Sequence, residues 1–220
     1  MRGGIVMRQS RTFIPTTREV PSSAEAISHK LLIKAGMVKQ VSAGVYTYLP
    51  LATRVIQKIE KVIREEHSKI GAAELLMPIL QSDEYWKKSG RWDKMGAELI
   101  RVTDRKNADY ALSPTAEEII TQTVNNMITS YKQLPMNLYQ IQTKFRDEIR
   151  PRLGLLRCKE FIMKDAYSFH DSPESLRETY KDYYQAYSNI FDRFELKYRA
   201  VQADSGNIGG SYTHEFQALA

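Results

Sequence analysis

Cysteine is nearly missing from this chain: Cys158 is the single example, so an internal disulfide and a zinc site built on several thiolates are both excluded. Such a chain is expected in a reducing, cytoplasmic compartment. No apolar run approaches the ~20 residues that a membrane-spanning helix needs, so no membrane partner is expected. Neither a GxxxxGK phosphate loop nor a GxGxxG turn occurs, which removes the two commonest nucleotide-binding signatures. There is no internal repeat and no low-complexity tract. Histidine is scarce, with His29, His67, His170 and His214 the full set, and no histidine–acid constellation or metal-ligating cluster is visible. The opening "MRGGIVMRQSR" is too short and too polar for a secretory signal, and either Met1 or Met7 could be the start.

What is present suits an ordinary globular protein. At 220 residues and 42% hydrophobic, the chain can bury one sizeable core, or it is one large domain cut short. A net charge of +6 favours a polyanionic partner such as a nucleotide or nucleic acid without fixing a fold.

Local patterns punctuate the chain clearly. Ser22 and Glu25 have capping-box spacing ahead of a stripe of Ile27, Leu31, Leu32 and Ala35, with Gly36 as the stop. A second helix is expected over residues 53–69. The apolar segment "AELLMPIL" reads as a strand that Pro78 confines to an edge or an irregularity. "ELIRVTD" and "DYALSP" read as a hairpin around Arg105–Ala108, and a helix is expected from Ala116 to Ser130. Asp171-Ser172-Pro173-Glu174 starts another helix, with Asp171 as the expected cap, and its Leu176, Tyr180, Tyr184, Tyr187, Phe191 and Phe194 keep helical spacing and read as core packing. Strands, helices and a central hairpin together predict an α+β fold with a mostly antiparallel sheet flanked by helices.

The chemistry concentrates in "TKFRDEIRPRLGLLRCKEF", residues 143–161. Read as two strands, alternation puts Arg146 and Glu148 on one face, and Arg157 and Phe161 on one face of the return strand. Guanidinium groups fork onto phosphate oxygens, a phenyl ring offers its face to a purine, and a carboxylate accepts from an exocyclic amine. An exposed salt-bridged ribbon explains the same spacing equally well, at ~0.2–1 kcal/mol per cross-strand pair. Cys158 alternates away from that face and reads as packing. Thr115-x-x-Glu118 has capping-box spacing of its own, which would make Thr115 a helix cap and Glu117 a first-turn acid.

"FRDE", a loop and then "RCKEF" resemble motif 2 of the class II aminoacyl-tRNA synthetases. From about Met7 onward the chain resembles the bacterial-type prolyl-tRNA synthetases. "GAAELLMPIL" is similar to motif 1, and "SPTAEEI" and "VQADSGNIGGSYTHEF" to further family segments. The resemblance implies that residues 1–220 form the N-terminal half of a class II catalytic domain. Motif 1 would span about 53–80 and motif 2 about 137–165. It implies that Arg146 holds the ATP α-phosphate and the amino-acid carboxylate, and that Glu148 meets the adenine edge. Arg157 would reach toward the γ-phosphate and Phe161 would stack on adenine, with Gln202 on a strand lining the adenylate pocket. Thr115 and Glu117 would recognise the proline amine, with Ser211 and His214 in the turn that closes over proline.

The implied activity is ATP-dependent activation of proline to prolyl-adenylate and transfer to tRNA(Pro), in a cytoplasmic homodimer, with Mg²⁺ accompanying ATP. Two anions must meet, so positioning and electrostatic neutralisation dominate over proton transfer. Motif 3, the editing insertion and the anticodon-binding domain of the family have no counterpart in this sequence. The chain is therefore expected to be a fragment, inactive alone. A synthetase-like paralogue that binds tRNA or adenylate as a regulator is the alternative.

Overall fold

A computed structural model of the chain describes residues 8–22, 24–204 and 212–219. The chain forms two compact units. Unit 1 comprises Met1–Lys58, Leu75–Thr129 and Tyr139–Tyr167, and unit 2 comprises Ile59–Glu74, Ser130–Leu138 and Ser168–Ala220.

The elements follow the expected order. Helix α1 (Ile27–Lys34) leads to strands β1 (Val38–Ser42) and β2 (Val45–Tyr48), then the long helix α2 (Pro50–Lys69). Strands β3 (Ala73–Glu74) and β4 (Leu80–Ser82) precede helices α3 (Asp83–Lys88) and α4 (Arg91–Lys94). After strands β5 (Arg101–Thr103) and β6 (Asp109–Leu112) comes helix α5 (Glu117–Met127). Strands β7 (Met136–Phe145) and β8 (Glu160–Phe169), helix α6 (Pro173–Arg193), and strands β9 (Tyr198–Gln202) and β10 (His214–Ala218) complete the chain. The pairs β1–β2, β4–β6, β5–β6 and β9–β10 are antiparallel, as an α+β fold with mostly antiparallel pairing requires. Among the described residues no helix is long and apolar enough to cross a membrane.

Four local expectations need correction. Helix α1 begins at Ile27 behind Ala26 with no side-chain cap, because the Ala24 N–H donates to the Pro21 carbonyl (3.0 Å) in a turn. Its stripe does not face inward: Ile27 and Leu31 are exposed, and the buried residue is His29. "AELLMPIL" is two strands in different sheets, not one. Pro78 has no N–H to give a ladder, and its neighbour Met77 bonds side chains of β7 instead: its N–H donates to Gln140 Oε1 (3.2 Å) and its carbonyl accepts from Gln142 Nε2 (3.3 Å). At α6 the cap is Ser172, whose hydroxyl accepts from the Ser175 N–H (3.3 Å), with Pro173 in the first turn.

Unit 1 packs around Trp86, Leu99 and Ala111, with Trp92 and Met95 against them. Trp86 is wholly buried, and its indole N–H donates to Gln81 Oε1 (3.0 Å), while Gln81 Nε2 donates to the Ser113 hydroxyl (3.1 Å). Burial of so large a ring is favourable only because its polar edge is matched.

Unit 2 is an aromatic layer. Tyr184, Tyr187 and Phe191 of α6 surround Phe216 of β10 at 5.1, 5.8 and 5.6 Å between ring centroids, and Tyr198 of β9 lies 5.7 Å from the same ring. The helical stripe of aromatics is packing, as expected, although Leu176 and Tyr184 remain partly in water. At the end of α2, Glu66 is almost fully buried and accepts from Lys69 Nζ (2.6 Å), Arg193 Nη1 (2.7 Å) and Asn189 Nδ2 (3.2 Å). The Lys69 hydrogen bond, followed by those of Arg193 and Asn189, holds its carboxyl down at about 2.

A group with a lowered folded-state value stabilises the fold above its unfolded value, ~4.3 for Glu, and loses that contribution as the pH falls through the folded value. Glu66→Gln is therefore expected to cost ~1.5–3 kcal/mol at neutral pH, the worth of hydrogen bonds to a charged group. Urea denaturation followed by circular dichroism should show the gap between wild type and variant closing as the pH falls from 5 toward 2.

Candidate functional site

The loop joining β7 to β8 carries three of the expected site residues, Arg146, Glu148 and Arg157. The ladder continues one step beyond the strands, with the Arg146 N–H donating to the Lys159 carbonyl (2.9 Å). There the backbone turns away. The Asp147 N–H donates to the Glu98 carbonyl (2.9 Å), and the Glu148 N–H donates back to the Arg146 carbonyl (2.8 Å). Arg146, Glu148 and Arg157 thus lie outside the strands, which corrects the expectation that alternation aligns them; only Phe161 is on a strand.

The loop nonetheless brings all four together. Arg146, Glu148, Arg157 and Phe161 line one cavity of about 450 Å³, with Glu98 and Cys158 also on its wall. Cys158 therefore does not turn away from the site; it is buried there, and its thiol donates to the Gly154 carbonyl (3.3 Å). The Arg146 guanidinium lies 5.5 Å from the Phe161 ring centroid, and its Nη2 donates to the Pro114 carbonyl (3.3 Å). Its Nε is buried with no hydrogen-bond acceptor among the described residues. Arg157 Nε donates to Glu148 Oε2 (2.6 Å), and the Arg150 N–H donates to Glu148 Oε1 (3.1 Å). Those two bonds, the Arg157 one foremost, hold the Glu148 carboxyl below the usual range, so it is ionised at neutral pH.

Beside Arg146, the segment 113–117 supplies the second half of the site. The Phe145 N–H donates to the Ser113 carbonyl (2.9 Å), so the two backbones run together here. Thr115 is not a helix cap. Ala116 occupies the cap position of α5 without any side-chain cap, and the Thr115 hydroxyl donates instead to Glu117 Oε2. Arg91 Nη1 donates to Glu117 Oε2 (3.1 Å) and to both oxygens of the buried Glu118 (3.0 and 3.2 Å). The Arg91 guanidinium sits over the Trp86 ring at 5.3 Å, and Ser89 Oγ adds a bond to Glu118 Oε1 (2.9 Å).

Beneath these lies a buried polar hub. The Ala116 N–H donates to the Tyr167 hydroxyl (3.0 Å), which donates to Asp165 Oδ2 (2.7 Å). Gln140 Nε2 donates to the same oxygen (2.9 Å), and Lys144 Nζ, wholly buried, stands 2.9 Å from Asp165 Oδ1. Burial, and next the charge of Glu117, push the Tyr167 hydroxyl well above its ordinary value, so it stays neutral and can only share its proton.

Sequence reasoning missed Arg91, Tyr167, Asp165 and Lys144. Arg91 stands in a loop-like stretch with no spacing signal. The other three were visible only as polar residues at strand positions, where alternation alone does not tell an inward lysine from an outward one.

Gln202 and His214 belong to unit 2, where they are cross-strand partners on β9 and β10. His214 Nδ1 lies 2.9 Å from the Tyr180 hydroxyl, on a separate cavity of about 430 Å³ lined by Tyr180, Tyr184, Gln185 and Tyr212. Ser211 lies outside the described residues.

Residues 100–220 match the family model described as the tRNA synthetase class II core domain (G, H, P, S and T), and the chain belongs to that family. Among curated proteins it is 64% identical over 214 residues to a proline–tRNA ligase of Lysinibacillus sphaericus, covering 97% of this chain and 38% of that protein. A proline–tRNA ligase of Macrococcus caseolyticus is 62% identical over the same shares. The chain thus spans well under half the length of these curated relatives. Two solved structures share the fold. Giardia lamblia prolyl-tRNA synthetase in complex with prolyl-adenylate aligns with a TM-score of 0.73 at 24% identity, over 79% of this chain and 36% of that one. Cryptosporidium parvum prolyl-tRNA synthetase complexed with L-proline and AMP aligns at 0.75 and 18%, over 85% and 38%.

Arg91→Met removes the cation that both Glu117 and Glu118 share and strands a buried charge. Losing one partner of such a pair costs ~3–5 kcal/mol. Chemical denaturation should show that loss, and the double variant Arg91→Met/Glu118→Gln should recover part of it.

Proposed function

We propose that this chain provides the amino-acid- and ATP-binding part of a cytoplasmic proline–tRNA ligase. The observation that carries the reading is the convergence of Arg146, Glu148, Arg157 and Phe161 on one cavity, bonded through Arg146 and Pro114 to the Thr115–Glu117 segment. The family membership and the names of the curated relatives support it.

In this reading the adenine ring lies against Phe161, with its exocyclic amine toward Glu148, and Arg157 faces the far phosphates. The Glu117 carboxylate, held by Thr115 and Arg91, accepts from the secondary ammonium of proline. The proline carboxylate attacks the α-phosphorus, a C(=O)–O–P linkage forms, and pyrophosphate departs. Repulsion between the two anions is the obstacle, ~4 kcal/mol for unit charges 4 Å apart at an effective dielectric of 20. A guanidinium between them would cancel much of it, and this reading gives that task to Arg146. Its buried Nε has no acceptor among the described residues, and a carboxylate or phosphate oxygen would supply one. Mg²⁺ would arrive with the triphosphate and keep mostly phosphate and water oxygens. Transfer to tRNA(Pro) and homodimer formation complete the proposed activity in the whole protein.

Calorimetry with a non-hydrolysable prolyl-adenylate analogue tests the reading. Binding is expected, and Arg146→Ala should weaken it ~10–100-fold, the equivalent of the ~1.5–3 kcal/mol of charge-assisted hydrogen bonds. The alanyl analogue should bind at least ~10-fold more weakly, since it lacks ring methylenes. A chain that binds neither analogue, or both alike, refutes the assignment to proline.

A further inference from the structure

Besides its own internal bonds, the loop carrying Glu148 and Arg157 rests on the N-terminal part of unit 1 at two glycines. At the β1–β2 turn, Gly44 has φ +74°, and its carbonyl accepts from the Lys159 N–H (2.8 Å). A methyl group there would lie 2.9 Å from the Lys159 nitrogen and 2.9 Å from Pro151 Cβ. In the loop, Gly154 has φ +64° directly after Leu153 at φ +59°; the left-handed region is free for the glycine and costly for the leucine. A methyl at Gly154 would meet His29 Cγ, Cβ and Cδ2 at 2.7, 2.8 and 2.9 Å.

His29 is a rigid stop. It is buried on α1, its ring stands edge-on to Tyr46 of β2 at 5.6 Å, and its Nε2 lies 3.4 Å from the Tyr46 hydroxyl. The residues next after Gly154, Leu155 through Cys158, form a wall of the cavity that holds Arg146 and Phe161. Any displacement at the seat therefore reaches Arg157 and its partner Glu148 within a few bonds.

We infer that His29, Gly44 and Gly154 form a seat that sets the position of the Glu148–Arg157 loop, making them positioning residues for the nucleotide half of the site. The inference rests on the proposed ATP-binding role of that cavity. None of the three lines the cavity. The Thr115–Glu117 segment is held by Arg91 and Tyr167 instead, so the seat is expected to govern the nucleotide and not the proline amine. Errors of about 1 Å in such groups are worth up to ~100-fold.

The sole cysteine supplies a readout independent of any ligand. Cys158 is buried in this loop, and burial also pushes its thiol up, so wild type should react slowly with a disulfide reagent such as dithionitrobenzoate. Gly154→Ala and Gly44→Ala are each expected to speed labelling ~10-fold or more. In the Gly154→Ala background, His29→Gly should restore part of the protection, leaving the left-handed backbone of alanine as the residue of the effect. Glu66→Gln, which destabilises unit 2, serves as a control and should leave labelling unchanged. In parallel, Gly154→Ala should raise the Kd for ATP ~10-fold and leave that for proline within twofold, and the same His29→Gly change should recover ATP affinity. Unchanged labelling in both glycine variants overturns the seat. Faster labelling with ATP affinity intact, or with ATP and proline weakened alike, overturns its positioning role. Should wild type bind neither ligand, the functional reading fails, while the labelling rates still decide whether the seat exists.

Discussion

A carboxylate buried among strands has to be matched on every side, and Asp165 is matched by Gln140, Tyr167 and Lys144. Each of those partners carries the constraint outward. Gln140 also accepts from the backbone of Met77 in the segment where Pro78 prevents a ladder. Tyr167 accepts from Ala116, the residue that opens α5 and stands between Thr115 and Glu117. One buried anion thereby ties β7, β8, the 75–79 segment and the start of α5 into a single polar framework. Such a framework is unforgiving, because removing one partner leaves the others desolvated and unpaired.

The site built on that framework is a balance of fixed charges. Arg91 neutralises Glu117 and Glu118, Arg157 neutralises Glu148, and Lys159 is bonded to Asp147 (2.7 Å). Arg146 differs from these cations: among the described residues its contacts are a ring face and a neutral carbonyl, with no carboxylate bonded to it. A guanidinium on a cavity wall, with no anion bonded to it among the described residues, is where an incoming carboxylate or phosphate gains most. Glu117 is the complementary case, a carboxylate held in place from one side by a hydroxyl and a guanidinium. In the proposed function the pair would receive a zwitterion, with its ammonium toward Glu117 and its carboxylate toward Arg146.

Unit 2 solves a different problem. Its stability rests on stacked aromatic rings from α6 against the β9–β10 hairpin, closed at one end by Glu66 and its three donors. This arrangement makes His214 a member of an aromatic cluster through Tyr180 and Tyr184.

Much of this was legible in the linear sequence. The helical spacing of the α6 aromatics, the β5–β6 hairpin and the α+β class follow from periodicity and turn chemistry, which are local and survive in any context. The residue types at Arg146, Glu148, Arg157 and Phe161 likewise pointed to an anionic, planar ligand. What the sequence could not decide was why those four meet. Alternation along two strands suggested one mechanism, whereas the strands end at Phe145 and resume at Glu160, and a loop seated on Gly44 and His29 does the gathering. Nor could spacing reveal that Thr115 bonds Glu117 instead of capping α5, or that Arg91 and Lys144 point inward. Local propensities depend on neighbours in sequence, whereas the direction of a buried charge depends on a partner far along the chain, and only the folded structure brings that partner within reach.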